Sequence, residues 1–271
     1  MKIFKDRHSL QREIYRQKGI SFVPTMGGLH SGHLSLIKKA KKYKYKILVS
    51  IFINPKQFNK RKDFMRYPRN LNKDIKKLKN LKIGYLYVPT FNDIYSFKTS
   101  NQIYLDKFSK FLCGKFRKGH FEGVLNVVNR FLEIIKPKYI FLGKKDYQQL
   151  FLIKRHLVKK KIRTKIIECN TIREKNGIAC STRNAALSKK QTKIASNIYY
   201  YLLNLKKKIK GNQKLFAIDK IKKRIKYLGA DKVEYVERYD IKSFKKINKS
   251  KSKFNLFVAY YLKSTRLIDN L

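Results

Sequence analysis

The sequence contains few of the residues that would build a disulfide framework, a zinc site or a membrane span. Only three cysteines, Cys113, Cys169 and Cys180, occur in 271 residues. None belongs to a Cys-x-x-Cys pair, and an odd count argues against a disulfide framework. No apolar run reaches about eighteen residues, and the N-terminus has no apolar signal core. We therefore expect reduced thiols in a cytoplasmic protein that neither crosses nor binds a membrane.

Acidic residues are also scarce. Asp and Glu number 17 against 67 Lys and Arg, which gives a formal net charge of +50. A field of this size attracts nucleic acids without a designed site. However, the basic residues are spread over the whole chain, without a basic tail or a recognisable RNA- or DNA-binding motif. The absence of Trp and the excess of Lys, Ile and Asn resemble drift toward A/T-rich codons. We favour a solvated basic surface over a specific nucleic-acid partner.

The two common glycine-rich nucleotide motifs are missing, but a third glycine-rich turn is present. Residues 20–23 form a short apolar run that predicts a buried strand, which Pro24 would end. A helix is expected from Ser31, a good N-cap residue, toward residue 43. Between them, Gly27, Gly28 and Gly32 allow a tight turn that a ligand can approach closely. We expect free N–H groups at the helix start to face an anion such as a nucleotide phosphate.

Two histidines lie in this turn. His30 and His33 are spaced about one helical turn apart, and both can donate hydrogen bonds to phosphate oxygens. The form His-x-Gly-His after a strand is typical of nucleotidyltransferases that act at the α-phosphate of ATP. The alternative is a surface turn with two solvated histidines. The chain has only five histidines, and the presence of two in one turn favours the functional interpretation.

Further apolar runs predict a parallel α/β sheet. Strands are expected at residues 46–53, 83–88, 139–142 and 165–168, separated by helical patterns. Ligands of such sheets bind beyond the carboxyl ends of the strands. Asn54 and Gln57 follow one strand and are candidate substrate contacts or simple turn caps. Lys145 and Asp146 follow another, where Lys145 can neutralise phosphate charge and Asp146 can hold a ribose hydroxyl or a magnesium-bound water.

The later part of the chain adds a second set of polar residues. Ser181, Thr182 and Arg183 combine two hydroxyls with a guanidinium and suit a polyphosphate. Residues 117–124 form a loop with one Arg and one His that could be a simple anion nest. After a hinge near residues 176–177, the pattern predicts a small α+β unit with helices at 196–209 and 215–227 and strands at 232–239 and 254–261. We expect domains at 1–176 and 177–271, the second acting as a lid.

Seven motifs in order resemble one family, the pantoate–β-alanine ligases (pantothenate synthetases); they lie at residues 24–33, 51–58, 67–69, 119–124, 143–149, 181–184 and 266–270. The resemblance implies a Rossmann-like N-terminal domain, a smaller C-terminal lid and a homodimer. It also implies the reaction: pantoate, β-alanine and ATP, with Mg²⁺ on its phosphates, give pantothenate, AMP and pyrophosphate through a pantoyl adenylate.

The resemblance assigns roles to individual residues. It implies His33 as the proton donor, with His30, Lys145 and Arg183 also catalytic, and no metal site formed by the protein alone. Gln57 and Gln149 would bind pantoate, with Gln57 also near β-alanine. Ile172 would contact adenine through its backbone. The implied ATP contacts are Met26, Gly27, Gly28, Leu29, His30, Ser31, Gly32, His33, Gly143, Lys144, Lys145, Asp146, Ile172, Cys180, Ser181, Thr182 and Arg183.

Three positions depart from the family pattern. Lys144 stands where Glu is usual, so it either points away from ATP or repels Lys145. Cys180 and Thr182 replace Met or Leu and Ser, and Thr182 keeps the hydroxyl. Rival enzymes of the same superfamily fit less well: a tRNA-charging enzyme would need an anticodon-binding domain, and a phosphopantetheine adenylyltransferase would be much shorter.

Overall fold

The computed structural model describes residues 1–211, 217–241, 243–247 and 254–271. The chain forms two compact units, Met1–Asn170 and Thr171–Leu271. The boundary expected after residue 176 falls inside the second unit. An antiparallel bridge between Arg173 and Ala179 explains this, because it ties the predicted hinge segment into the second unit.

The first unit is built on a six-stranded sheet in the order β1-β4-β3-β2-β5-β6. Every neighbouring pair in it is parallel. This confirms the Rossmann-like class. Phe22, Leu48 and Phe141 are fully buried in the sheet core. The strands are β1 (Lys2–Phe4), β2 (Ile20–Thr25), β3 (Lys46–Ile51), β4 (Tyr85–Tyr87), β5 (Tyr139–Gly143) and β6 (Lys165–Cys169).

Helices connect these strands, as parallel pairing requires. The connections between the strands also contain three short 3-10 turns, at Pro55–Gln57, Lys107–Lys110 and Lys144–Asp146. The helices are α1 (Arg7–Tyr15), α2 (Ser31–Ala40), α3 (Arg61–Met65), α4 (Leu71–Asn80), α5 (Phe91–Tyr95), α6 (Cys113–Phe116), α7 (His120–Ile135) and α8 (Tyr147–Lys159).

Pro24 does not end strand β2, contrary to the prediction from sequence. The strand continues to Thr25, and Pro24 pairs in register with Ser50 of β3. The backbone N–H of Phe52 donates to the Thr25 carbonyl, which therefore faces β3. Pro24 consequently faces the β5 side, where the pairing stops at Phe22. Its missing N–H leaves no ladder bond unmade, so proline is tolerated inside this strand.

The sheet order creates one switch point, between β2 and β5. The chain runs from β2 through β3 to β4 in one direction, and from β5 to β6 in the other. The connections after β2 and β5 therefore diverge and leave a crevice beyond their carboxyl ends, where ligands of such sheets bind. The glycine-rich turn follows β2, and Lys144–Asp146 follows β5. The fold brings these two sequence-predicted segments to the same edge.

The second unit is α+β, as expected. Its antiparallel sheet has the order β7-β8-β9, with β7 at Lys232–Asp240, β8 at Phe254–Leu262 and β9 at Thr265–Asn270. Helices α9 (Lys189–Gly211) and α10 (Ile218–Tyr227) pack with it around buried residues such as Ile198 and Val258. The predicted helix start at residue 215 lies outside the described residues. Strand β9 was not predicted, because its short sequence alternates weakly.

None of the helices in the described ranges is long and apolar enough to cross a membrane.

Candidate active site

The glycine-rich turn after β2 has the backbone that its glycines predict. Gly27 and Gly28 have φ angles of +79° and +62°, values that L side chains rarely adopt. At Gly27 a Cβ would also lie 3.1 Å from the Ile51 side chain and 3.2 Å from the Asp74 carboxylate. Glycine is therefore required here by conformation and by space.

Five N–H groups of this turn and of the helix start donate hydrogen bonds within the protein. Gly28 and Leu29 donate to the two oxygens of Asp74, at 2.7 and 2.8 Å. Gly27 donates to the Thr25 hydroxyl at 3.2 Å. His30 and Gly32 donate to histidine side chains. These five donors are therefore engaged within the protein, and the anion expected at the helix start stays a prediction.

His30 and His33 cap helix α2 together, and this replaces the predicted N-cap at Ser31. The Nδ1 atom of His30 accepts from the Gly32 N–H at 3.1 Å, and Nδ1 of His33 accepts from the His30 N–H at 3.4 Å. A neutral imidazole that accepts at Nδ1 carries its proton on Nε2. The capping contacts thus fix one tautomer in both rings, with each Nε2–H left to donate elsewhere. The ring centroids lie 4.1 Å apart.

Both histidines are held neutral. Burial is the main cause: it lowers the pKa of His30 to about 4 and that of His33 to about 3. The Lys145 ammonium lowers both pKa values further, whereas the Asp146 carboxylate opposes the shift. At neutral pH the pair therefore presents two hydrogen-bond donors without positive charge, beside the charge of Lys145.

Two residues of helix α4, which the sequence analysis did not identify, form hydrogen bonds with the turn. Asp74, which is only 3% exposed, accepts the two backbone N–H groups of Gly28 and Leu29. One helical turn later, Lys77 donates to the Leu29 carbonyl. The signal that could have revealed Asp74 is its position: a carboxylate on the apolar face of a Lys-rich helix, one turn before buried Leu78.

Gln57 lies beside the turn, next to the end of β3. Its side chain is 8% exposed and donates from Nε2 to the Met26 sulfur. Asn54 donates from Nδ2 to the Gly123 carbonyl at 3.0 Å and accepts from the Tyr95 hydroxyl at 3.0 Å. Asn54 also caps the following 3-10 turn. Its side chain therefore holds the turn, while Gln57 and Met26, both predicted site residues, are brought together.

The segment after β5 places Lys145 near the histidines. Its ammonium lies 3.5 Å from an Asp146 oxygen. Gly143 ends β5 and precedes this segment. The Lys144 ammonium donates to the Asn170 carboxamide at 3.3 Å, at the end of the neighbouring strand β6. This contact directs the Lys144 side chain to the end of β6, and whether that is away from ATP stays a prediction.

The adjacent glutamines at the start of α8 have different surroundings. Gln148 is buried and holds three backbone groups, accepting from the Cys113 N–H and donating to the Phe108 and Phe111 carbonyls. Gln149 is half-buried on the same helix. The resemblance assigns Gln149 to pantoate. The side chain of the neighbouring Gln148 instead forms hydrogen bonds with three backbone groups of the protein.

The second unit holds the remaining predicted residues in one short segment. The Ile172 carbonyl accepts from the Cys180 N–H at 2.9 Å. Ser181 caps the 3-10 helix Thr182–Ala186 by accepting from the Arg183 N–H. Cys180 is buried, and Ser181, Thr182 and Arg183 are half-buried.

Arg173 anchors this segment and was not predicted from sequence. Its guanidinium forms two hydrogen bonds to the Asp269 carboxylate, at 2.7 and 3.0 Å, and packs over the Tyr199 ring. Asp269 belongs to the sequence motif at residues 266–270. That motif therefore fixes the segment that contains Ile172.

All three cysteines are free and buried. Within the described part of the chain, no group of three or more His, Cys, Asp or Glu side chains could hold a metal ion.

The fold is a parallel α/β sheet with the glycine-rich turn of residues 26–33 at its switch point, and this defines the class as Rossmann-like α/β. We call this turn the phosphate turn, after the ligand that the sequence analysis predicts for it. Comparison with known proteins narrows the class. The family model described as pantoate-beta-alanine ligase matches residues 2–271. The chain belongs to the pantoate–β-alanine ligase family.

Individual relatives agree with this assignment. A pantothenate synthetase from Thermodesulfovibrio yellowstonii is 37% identical over 267 residues, which cover 95% of this chain and 92% of that protein. The structure of the Francisella tularensis pantoate-beta-alanine ligase, complexed with beta-gamma ATP and beta-alanine, is 38% identical with a TM-score of 0.84, covering 100% of this chain and 97% of that one. The Thermus thermophilus pantothenate synthetase is 28% identical with a TM-score of 0.89, covering 100% and 99%.

Proposed function

We propose that this protein condenses pantoate with β-alanine at the expense of ATP, through a pantoyl adenylate. The observation that carries the proposal is the paired Nε2–H donors of His30 and His33 at the switch point of the sheet, in a chain that matches the ligase family from residue 2 to residue 271. The Francisella relative was crystallised with an ATP compound and β-alanine, which is consistent with the same substrates here.

The reaction has two balanced steps. A pantoate carboxylate oxygen attacks the α-phosphorus of ATP, and pyrophosphate leaves. The β-alanine amine then attacks the acyl carbon of the adenylate and loses a proton, and AMP leaves. In the first step negative charge grows on the α-phosphate oxygens and on the pyrophosphate, so donors fixed in advance lower the barrier.

The residues of the first unit fit the first step. The two neutral histidines offer Nε2–H donors whose direction is fixed by their capping contacts, and Lys145 supplies the positive charge. An arriving polyphosphate raises the pKa of both histidines, because a nearby anion favours the imidazolium. His33 can then share a proton with the leaving group. Gln57 and Gln149 are the amide side chains suited to the hydroxyl and carboxylate groups of pantoate.

We expect Mg²⁺ to bind at this site only together with ATP, on the phosphates of the nucleotide. Mg²⁺ commonly uses one or two carboxylates, with substrate phosphates and water completing its shell. Asp146, whose side chain is 48% exposed, is the carboxylate beside the histidines. It would hold the ion through a water or directly, and the ion would neutralise phosphate charge when bound.

The proposal extends to the rest of the molecule. The roles that the resemblance gives to the second unit stay predictions: ATP contacts for Ile172, Ser181, Thr182 and Arg183, and a lid for the unit itself. The protein would work as a homodimer in the cytoplasm. The dimer is tested by light scattering during size-exclusion chromatography, where a mass twice that of one chain is expected.

The activity is tested by pyrophosphate release from ATP with purified protein. Pantoate alone should give a single-turnover burst, and adding β-alanine should make release continuous, with pantothenate formed in equal amount. β-Alanine alone should give none. Bound ATP without pyrophosphate release under any of these conditions would refute the ligase assignment and point to another acid substrate.

A further inference from the structure

The segment at residues 117–124, which contains the first turn of helix α7, has an Arg and a His that suggest an anion nest. Its side chains and backbone instead contact residues 54–57. We propose that Arg117, His120 and Gly123 form a positioning device that fixes the backbone of Gln57, the residue proposed to bind pantoate. This inference rests on the proposed function, since it concerns the alignment of the pantoate subsite.

Hydrogen bonds define the first part of the device. Nδ1 of His120 lies 2.7 Å from the Gln57 carbonyl oxygen, and the Arg117 guanidinium lies 2.9 Å from Nε2 of His120. Arginine can only donate, so Nε2 accepts and the His120 proton resides on Nδ1, where it is donated to Gln57. A second Arg117 nitrogen donates to the same carbonyl at 3.3 Å. Two side chains thus converge on one backbone oxygen.

Close packing defines the second part. A Cβ built on Gly123 would lie 2.2 Å from the Lys56 carbonyl oxygen and 2.8 Å from the Gln57 Cα. Such contacts are far inside van der Waals distance, so helix α7 can approach the turn only because this position is glycine. The Gly123 carbonyl in turn accepts from Asn54. The first turn of α7 therefore contacts this segment at Asn54, Lys56 and Gln57.

The consequence concerns the Gln57 side chain. It is buried, and its carboxamide lies against Met26 of the phosphate turn. A backbone shift at Gln57 therefore moves the carboxamide relative to that turn, where the pantoate carboxylate must meet the α-phosphate. Misplacement of about 1 Å at a reacting centre can cost roughly a hundredfold in rate. The Arg117 guanidinium already donates to His120 and Gln57, so these contacts favour positioning over anion capture.

Gly123→Ala tests the packing contact. The added methyl must displace the Lys56–Gln57 backbone, so kcat/KM for pantoate should fall by about 10- to 100-fold. ATP affinity, measured by calorimetry, should change less than about twofold, because the phosphate turn is held by Asp74 instead. Gly84→Ala is the matched control, since its new Cβ meets nothing closer than 3.4 Å. It should leave the kinetic constants and the melting temperature near wild type.

His120→Ala and His120→Asn test the hydrogen bond without adding bulk. Alanine removes the donor and should raise KM for pantoate. Asparagine places an amide N–H near the position of Nδ1, and we expect it to restore much of the loss. Unchanged pantoate kinetics in both Gly123→Ala and His120→Ala would overturn the inference, as would an equal loss of ATP affinity. If the wild-type enzyme makes no pantothenate, the proposed function fails, which is a separate result.

Discussion

In the proposed function, the tautomers of His30 and His33 determine which hydrogen bonds the phosphate turn would offer to ATP. Each Nδ1 is consumed by a backbone N–H, so each ring presents only Nε2–H to a ligand. A mobile or solvated histidine would sample both tautomers and a cation. The capping contacts remove that freedom before ATP arrives, which is the preorganisation that transition-state stabilisation requires.

We predict that His33→Ala lowers adenylate formation by about two to four orders of magnitude, the scale of a lost proton donor or oxyanion contact. The same change removes a helix cap and should cost about 1 kcal/mol of folding free energy. Single-turnover pyrophosphate release and urea denaturation measure the two effects.

His33→Asn separates these two effects. The asparagine oxygen can still accept the His30 N–H, but nothing replaces Nε2–H. Stability should therefore return toward wild type while activity stays low. Near-wild-type turnover in either variant would exclude the role assigned to His33.

Among individual residues, sequence reasoning found those whose chemistry is recognisable in a short motif. His30, His33, Gln57, Lys145 and Arg183 were named in this way, and their site roles remain predictions. Asp74 and Lys77 were not found: the position of Asp74 on the apolar face of its helix was overlooked, and Lys77 is one of several lysines in that helix with no distinguishing signal.

At the scale of elements, the turn after β2 is held to helix α4. Asp74 accepts two backbone N–H groups of the turn, and Lys77 donates to a carbonyl of the same turn. Hydrogen bonds to a charged partner are worth about 1.5 to 3 kcal/mol each, and a buried donor left without its acceptor is costly. The conformation of the phosphate turn thus depends on a helix about forty-five residues further along the chain.

Asp74→Ala should destabilise the first unit by about 3 kcal/mol and weaken ATP binding, because the Gly28 and Leu29 N–H groups lose their acceptor. Asp74→Asn keeps one oxygen and should show a smaller loss of both. Denaturant unfolding and calorimetric ATP titration provide the measurements. Asp63→Ala serves as the control: this exposed residue of α3 should tolerate truncation with little change. If ATP affinity is unchanged in Asp74→Ala, the hydrogen bonds from the turn to Asp74 are not needed for nucleotide binding.

Most elements were predictable because apolar runs flanked by Pro, Gly or Asn mark buried strands. The predicted starts of β2, β3, β5 and β6 agree with the observed residues, and their ends agree within two residues. The extension of β2 through Pro24 was not predictable, since it depends on where the neighbouring strand β5 stops pairing. Residues 117–124 were interpreted as a loop, but helix α7 begins at His120, directly after Gly119 in a left-handed conformation with φ of +76°.

At the scale of the whole molecule, buried histidines make stability depend on pH. His156 is fully buried, accepts from the Tyr104 N–H and contacts Asn129, and burial lowers its pKa to about 4. The pKa values of His30 and His33 are lowered in the same way. Between pH 6.5 and 4 the unfolded chain therefore binds protons that the native state does not, so stability falls as the pH falls.

For His156 alone, the unfolding free energy should be about 2 kcal/mol lower at pH 5 than at pH 7. Urea denaturation at several pH values measures this slope. His156→Gln removes the titrating group and should flatten the dependence, whatever its effect on stability at pH 7. An unchanged slope would mean that His156 is not buried in its neutral form.

The net charge of +50 also acts at this scale. We expect DNA to bind weakly and without sequence preference, with an affinity that falls about a thousandfold or more between 50 and 200 mM salt if six or more phosphates are contacted. Fluorescence anisotropy with two unrelated duplexes tests this. Binding that resists salt, or that distinguishes the duplexes, would instead indicate a specific nucleic-acid site.

The sequence by itself determined the family, the parallel α/β class and the chemical groups of the site, because these are written in motifs of a few residues and in the spacing of apolar runs. The tertiary structure decided which groups are free to act. Asp74 accepts from the amides of the turn, His30 and His33 accept from backbone N–H groups at the start of helix α2, and His120 lies against the Gln57 carbonyl, 63 residues away in sequence. Such pairings depend on packing between distant elements, where a buried donor must find an acceptor.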